Sequence, residues 1–303
     1  MSTFAKTLFA LAAVAALLAA LAACSPLTAV NAFSSGSASR VTLGLPYGAG
    51  PRHKLDIYTP LAAPAPAPVV VFFYGGNWTT GERADYAFVG RALAARGMVA
   101  VIADYRLYPE VRYPDFLDDA AQAVAWTVRQ AARHGGDPKQ VFVMGHSAGA
   151  YNAAMLALDG KWLARQGMTP AALRGWIGLA GPYDFLPVEN RTARPVFLYP
   201  DTPTDSQPIN HVTAGAPPAL LIAAEQDALV NPQRNTGGLA HQLRAQGVAV
   251  TERYFGKVGH ATLVVSLAGP LHSLAPTLDA VERFIKTDGG RLQQAVQQAI
   301  AVK

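Results

Sequence analysis

Five short runs in this chain are apolar on nearly every consecutive residue rather than on alternate ones: Val69 to Tyr74, Met98 to Ala103, Gln140 to Met144, Gly175 to Ala180 and Ala219 to Ala224. A strand with one face in water alternates apolar and polar residues. One that is apolar throughout has to be covered on both faces, as strands of a parallel sheet are. Helical spacing fills the intervals: Tyr86 to Arg96 stopped by Gly97, Asp118 to His134 ended by Gly135-Gly136, Ala148 to Leu158, Gly237 to Gln246 and Thr277 to Ile285. A short strand, Lys54 to Tyr58, comes first, and Val250 to Phe255 is the last. Strands alternating with helices predict an α/β fold, a mostly parallel central sheet with helices on both faces. Nothing repeats internally, and the Pro/Ala segment from Leu61 to Pro68 is too short to divide domains. One domain over residues 41–290 is expected, followed by a tail over 291–303.

Composition narrows the function classes. Of 303 residues, 51% are hydrophobic and 15% charged, which excludes intrinsic disorder. The net charge of +5 is spread without a Lys/Arg run, so no nucleic-acid partner is expected. The single cysteine, Cys24, excludes a disulfide framework and any multi-cysteine zinc site. Histidines and carboxylates do not cluster at ligand spacing either, so neither a metal nor a cofactor is expected.

Cys24 ends an uncharged, Leu/Ala-rich run that begins at Thr7, after Lys6. A basic start, an apolar core and small residues at its end make residues 1–23 a secretory signal. Leu21-Ala22-Ala23-Cys24 further resembles the lipobox of bacterial lipoproteins, which implies cleavage before Cys24, acylation of its sulfur and anchoring in a lipid bilayer. Ser25 after the cysteine resembles outer-membrane sorting in Gram-negative bacteria, with the domain facing the periplasm. The alternatives are a signal peptide cut elsewhere and an uncleaved helix, the latter weakened because spanning a bilayer takes about 20 apolar residues. Residues 24–40, rich in Ser, Ala and Gly, read as a flexible tether.

The chemistry begins at Gly145-His146-Ser147-Ala148-Gly149, a G-x-S-x-G sequence set between the Gln140–Met144 strand and the Ala148–Leu158 helix. That context is what the nucleophile elbow of an α/β-hydrolase requires: a sharp turn that lifts the serine hydroxyl above the sheet, with glycines where side chains would collide. In such enzymes the acid and the histidine follow the serine in the chain. Past the strand ending at Ala224 comes Glu225-Gln226-Asp227, and past the strand ending at Phe255 comes Gly256-Lys257-Val258-Gly259-His260. Asp227 and His260 therefore both fall at C-terminal strand ends, where ligands bind in open α/β sheets. Glu225 is the rival acid and His272 the rival base. Tyr74-Gly75-Gly76-Asn77-Trp78 follows another strand, and the Gly75, Gly76 and Ala148 N–H groups are the candidate oxyanion donors.

Together the YGGNW loop, Asp104 to Pro109, Tyr113 to Phe116, the GHSAG elbow, the Asp227 loop and Gly259-His260 resemble the α/β-hydrolase superfamily. Within it the chain is similar to carboxylesterases and lipases related to hormone-sensitive lipase, and nearer still to acetyl and feruloyl esterase-like members and kynurenine formamidases. The resemblance runs from about Lys54 to Ile285. It implies a serine hydrolase that cleaves small acyl or aryl esters through an acyl-enzyme. An arylformamidase is the alternative enzyme, and a non-catalytic surface-binding protein on the same fold is the alternative of another class. Relatives usually carry His-Gly-Gly where this chain has Tyr74-Gly75-Gly76, which bears on how that loop is anchored. The irregular stretch from Pro182 to Pro217 reads as a lid-like insertion whose Phe197 and Tyr199, with Trp78, are the candidate substrate-binding residues.

Overall fold

A computed structural model describes residues 26–34, 38–63, 66–287 and 289. The expected signal segment, Cys24 and the 291–303 tail lie outside the described residues. Eight strands form one sheet: β1 Ser39–Pro46, β2 Lys54–Pro60, β3 Ala67–Phe73, β4 Val99–Ala103, β5 Gly136–His146, β6 Gly175–Leu179, β7 Ala219–Ala224 and β8 Val250–Phe255. Their order is β1-β2-β4-β3-β5-β6-β7-β8, with the two β2 pairings antiparallel and the rest parallel. The continuously apolar runs take the middle of this sheet. Val71, for example, pairs with Val101 on one side and Val143 on the other.

Among the described residues, seven α-helices of six or more residues accompany the sheet: α1 Pro26–Phe33, α2 Ala87–Ala95, α3 Asp115–Gln130, α4 Ala148–Leu158, α5 Gly238–Ala245, α6 His260–Val265 and α7 Thr277–Lys286. Every residue of α4 is buried. Its many Ala residues and Gly149 let it lie close against β3, β5 and β6. The outer helix α7 is amphipathic instead, burying Leu278, Val281, Phe284 and Ile285.

Two elements at the N-terminal side go beyond the sequence reading. Residues 26–33, within the segment read as a tether, form α1, which is stitched to the domain. The Asn31 amide donates to the carbonyls of Ala84 and Asp85 and accepts the Phe88 N–H, at 2.8 to 3.0 Å. Strand β1 was not expected at all. It is an edge strand with an irregular register between Thr42 and Leu45 and exposed Val41 and Leu43, so it carries no buried apolar run to betray it.

Candidate active site

Strand β5 delivers Ser147 to the point where α4 begins. Ser147 has φ 54° and ψ −120°, a conformation L-residues rarely adopt. The flanking glycines are demanded by space: a Cβ on Gly145 would lie 2.1 Å from the Gly149 carbonyl oxygen, and one on Gly149 would lie 1.9 Å from that of Phe73. The turn is therefore closed to any side chain at both positions. Ala148 is the first residue of α4, so its N–H has no acceptor inside the helix, and the helix sets the positive end of its dipole beside Ser147.

The loops after β7 and β8 bring the other two candidates to this serine. His260 Nε2 lies 2.8 Å from Ser147 Oγ, and His260 Nδ1 lies 2.7 Å from Asp227 Oδ2. Because a carboxylate only accepts, Nδ1 carries the proton, which leaves the Nε2 lone pair to accept the Ser147 hydroxyl. Asp227 is itself tied down by the N–H groups of Leu229 and Val230, both on Oδ1. Burial alone would raise its carboxyl, but the His260 hydrogen bond and charge and those two backbone donors outweigh it and hold the group below the usual carboxylate range. The rivals lie elsewhere: Glu225 is exposed, and His272 Nε2 is bonded to the Leu267 carbonyl.

Gly75 and Gly76 border the same cavity as Ser147 and Ala148. A Cβ on Gly75 would come 3.0 Å from the Ser147 Cβ, and Gly76, at φ 123°, would drive one into the Thr80 carbonyl at 2.1 Å. Asn77 and Trp78 follow with φ 53° and 58°. A loop this contorted needs anchoring, and Tyr74 supplies it. Its phenol donates to Asp104 and accepts from Arg52, and its ring stacks between Tyr86 and Tyr105. Tyr105 in turn donates to the Tyr74 carbonyl. Burial, reinforced by Asp104, pushes the Tyr74 phenol far above its ordinary value, so it stays a neutral donor.

The cavity measures about 290 Å³. Its lining includes the apolar Trp78, Phe185, Pro187, Val188 and Ala193 and the polar Asp184, Asn231, Arg234 and Asn235. The 182–193 part of the expected insertion thus does border the site. Its shape is set by Asn235, whose Oδ1 accepts the N–H groups of Tyr183 and Asp184, and by an Arg234–Asp184 ion pair.

Two of the three expected substrate-binding residues, Phe197 and Tyr199, stand away from this cavity. Phe197 is fully buried behind the lining, where its ring meets those of Trp78, Tyr151 and Phe185 at 4.7 to 5.4 Å. Tyr199 faces solvent, with the Arg194 guanidinium over its ring at 4.4 Å. Neither lines the cavity, whereas Trp78 and Phe185 do. An irregular loop has no period, so its sequence carries no signal for which aromatic turns inward.

Sheet, elbow and strand-end loops define an α/β-hydrolase fold, and solved structures share it. An inhibited esterase B from Lactobacillus rhamnosis superposes with a TM-score of 0.73 at 20% identity, over 95% of this chain and 99% of that one. A butyrate-bound esterase from Thermogutta terrifontis gives 0.65 at 22% identity, over 82% and 94%. The chain belongs to the BD-FAE family, whose model matches residues 55–243. Among curated relatives, the esterase LipC of Mycobacterium tuberculosis is 32% identical over 66% of this chain and 54% of its own length. A probable isoprenylcysteine alpha-carbonyl methylesterase of Oryza sativa subsp. japonica is 36% identical over 46% of this chain and 34% of its own length. The chain thus spans about a third to a half of the length of these two curated relatives.

Proposed function

We propose that this protein is a serine carboxylesterase that cleaves small acyl or aryl esters. The observation that carries the proposal is the unbroken hydrogen-bonded line from Asp227 through His260 to Ser147, the last two lining a cavity. In this reading Ser147 Oγ attacks the ester carbonyl as His260 Nε2 takes its proton. The N–H groups of Gly75, Gly76 and Ala148 receive the developing oxyanion. His260 then protonates the departing alcohol, leaving an acyl-enzyme, and activates the water that releases the acid. Asp227 holds the imidazole in the required tautomer and stabilises its charged form. Membership of the family and the esterase names of the relatives support ester cleavage.

Cavity size sets the expected selectivity. About 290 Å³ is at the small end of the roughly 300–1,000 Å³ common for ligand sites. Purified protein should hydrolyse p-nitrophenyl acetate and butyrate in preference to the palmitate. Phe185→Ala, which opens the apolar lining, should move the preference toward longer chains. Phe197→Ala should instead cost about 3–5 kcal/mol of stability with little change in preference. A palmitate preference in the unaltered protein would overturn the small-acyl reading. Faster turnover of N-formylkynurenine than of any ester would replace it with the formamidase, which would use the same groups. Failure to react with a fluorophosphonate would point to a non-catalytic binding protein.

The proposal extends to export and acylation at Cys24, supported by the Leu21-Ala22-Ala23-Cys24 sequence. In a Gram-negative host fed labelled palmitate, the protein should take up label and fractionate with membranes. Cys24→Ser should abolish both, and labelling that survives the change would refute the anchor.

A further inference from the structure

Inside the elbow, between Gly145 and Ser147, stands a second histidine that the proposed reaction does not use. His146 is almost fully buried, yet it borders the cavity. Its Nε2 lies 2.9 Å from the main-chain carbonyl oxygen of His260, and the two imidazole rings sit 5.0 Å apart, tilted by 48°. A carbonyl only accepts, so Nε2 must carry the proton and Nδ1 must be bare. Nδ1 has no hydrogen-bond partner among the described residues, and it lies 3.1 Å from where a Cβ on Gly75 would stand. The ring is thus wedged between an oxyanion glycine and the backbone of the proposed base.

We infer that His146 is a positioning residue, whose N–H fixes the main chain of His260 so that its ring can bridge Asp227 and Ser147. The need for such a tie is visible in the chain. His260 ends the loop Gly256-Lys257-Val258-Gly259, with glycine at both ends, and its ring must satisfy two contacts of 2.7 and 2.8 Å at once. Gly259 fixes that backbone to its own helix, its N–H donating to Thr262 Oγ1 and its carbonyl accepting the Leu263 N–H, and the His146 bond ties it across to the elbow. The tie also has to be uncharged. Burial, and to a lesser extent the charge of His260, push His146 down to about 3, so it stays neutral in the working range of an esterase. A cation there would oppose the imidazolium that His260 becomes in each turnover. The groups around the ring are Ser147, His260, Gly75 and, further off, Asp227.

This inference rests on the proposed serine mechanism, and two substitutions separate its failure from that of the mechanism. His146→Gln keeps an N–H donor at the reach of Nε2, whereas His146→Leu keeps bulk and removes the donor. With p-nitrophenyl butyrate, His146→Leu should lower kcat by about 10- to 100-fold, the range expected when a reacting group is misplaced by up to an ångström, and leave KM within about twofold. His146→Gln should restore kcat to within about threefold of the parent. Leu and Gln variants losing kcat equally would overturn the inference, as would a fully active His146→Leu. If His146→Leu fails to fold, a kcat of His146→Gln more than tenfold below that of the parent refutes it alone. An unaltered protein without esterase activity would instead refute the mechanism on which it stands.

Discussion

Replacing Ser147 with Ala should lower kcat toward p-nitrophenyl butyrate by about 10⁶-fold, the loss seen when the nucleophile of a serine triad is removed. What remains should be the small acceleration over water that binding and oxyanion donors supply, about 10³–10⁴. The fold should persist, because the Ser147 hydroxyl is bonded to His260 beside the cavity and fills no apolar core. Thermal unfolding should therefore be unchanged while labelling by a fluorophosphonate disappears. His260→Ala should be as damaging, and Asp227→Asn should cost about 10⁴ through the wrong imidazole tautomer. An active Ser147→Ala protein would end the serine mechanism, and a damaging His272→Ala with a silent His260→Ala would transfer the base.

The second large effect is expected where no functional group is removed. Gly145→Ala would place a methyl 2.1 Å from the Gly149 carbonyl oxygen and 2.2 Å from its carbon, both main-chain atoms of the adjoining helix. Neither atom can swing aside as a side-chain tip would, so the elbow itself must open. The expected cost is about 3 kcal/mol, at the upper end for overpacking. For a domain of this size that lowers Tm by roughly 6–12 °C. Shifting Ser147 by even 1 Å should also lower kcat by about 100-fold. Gly269→Ala is the control, since nothing lies within 4 Å of its added Cβ. If Gly145→Ala matches Gly269→Ala in both Tm and kcat, the tightness of the elbow is not what holds the nucleophile.

How much of this could be read from the chain depended on whether a residue's neighbours in space were also announced by a pattern. The central strands were legible because burial on both faces leaves no room for polar residues, as in Val69 to Phe73. Ser147, Asp227 and His260 were legible as a set because each follows a strand, and parallel strands end on the same side of the sheet. Strand β1 escaped because an edge strand with one exposed face has no such constraint, and α1 because the Asn31 side chain docks it on main-chain groups, which no side-chain pattern announces. The anchoring of the YGGNW loop was not visible either. Arg52, Tyr74 and Asp104 are separated by 22 and 30 residues and meet because β2 and β3 both pair with β4. His146 was visible in the motif, but its partner is a backbone carbonyl 114 residues away, which no side-chain pattern announces.

Helix α1 changes what the proposed anchor at Cys24 would do for the enzyme. Cys24 and Pro26 are two residues apart, and two residues of extended chain reach at most about 7 Å. Asn31 then binds the segment that carries Tyr86, itself a cavity residue. A domain on a long leash sweeps a hemisphere and meets substrate from any direction. If the anchor is there, a link this short would keep the domain beside the lipid, so it would meet esters that travel along the surface sooner than those passing freely in the bulk.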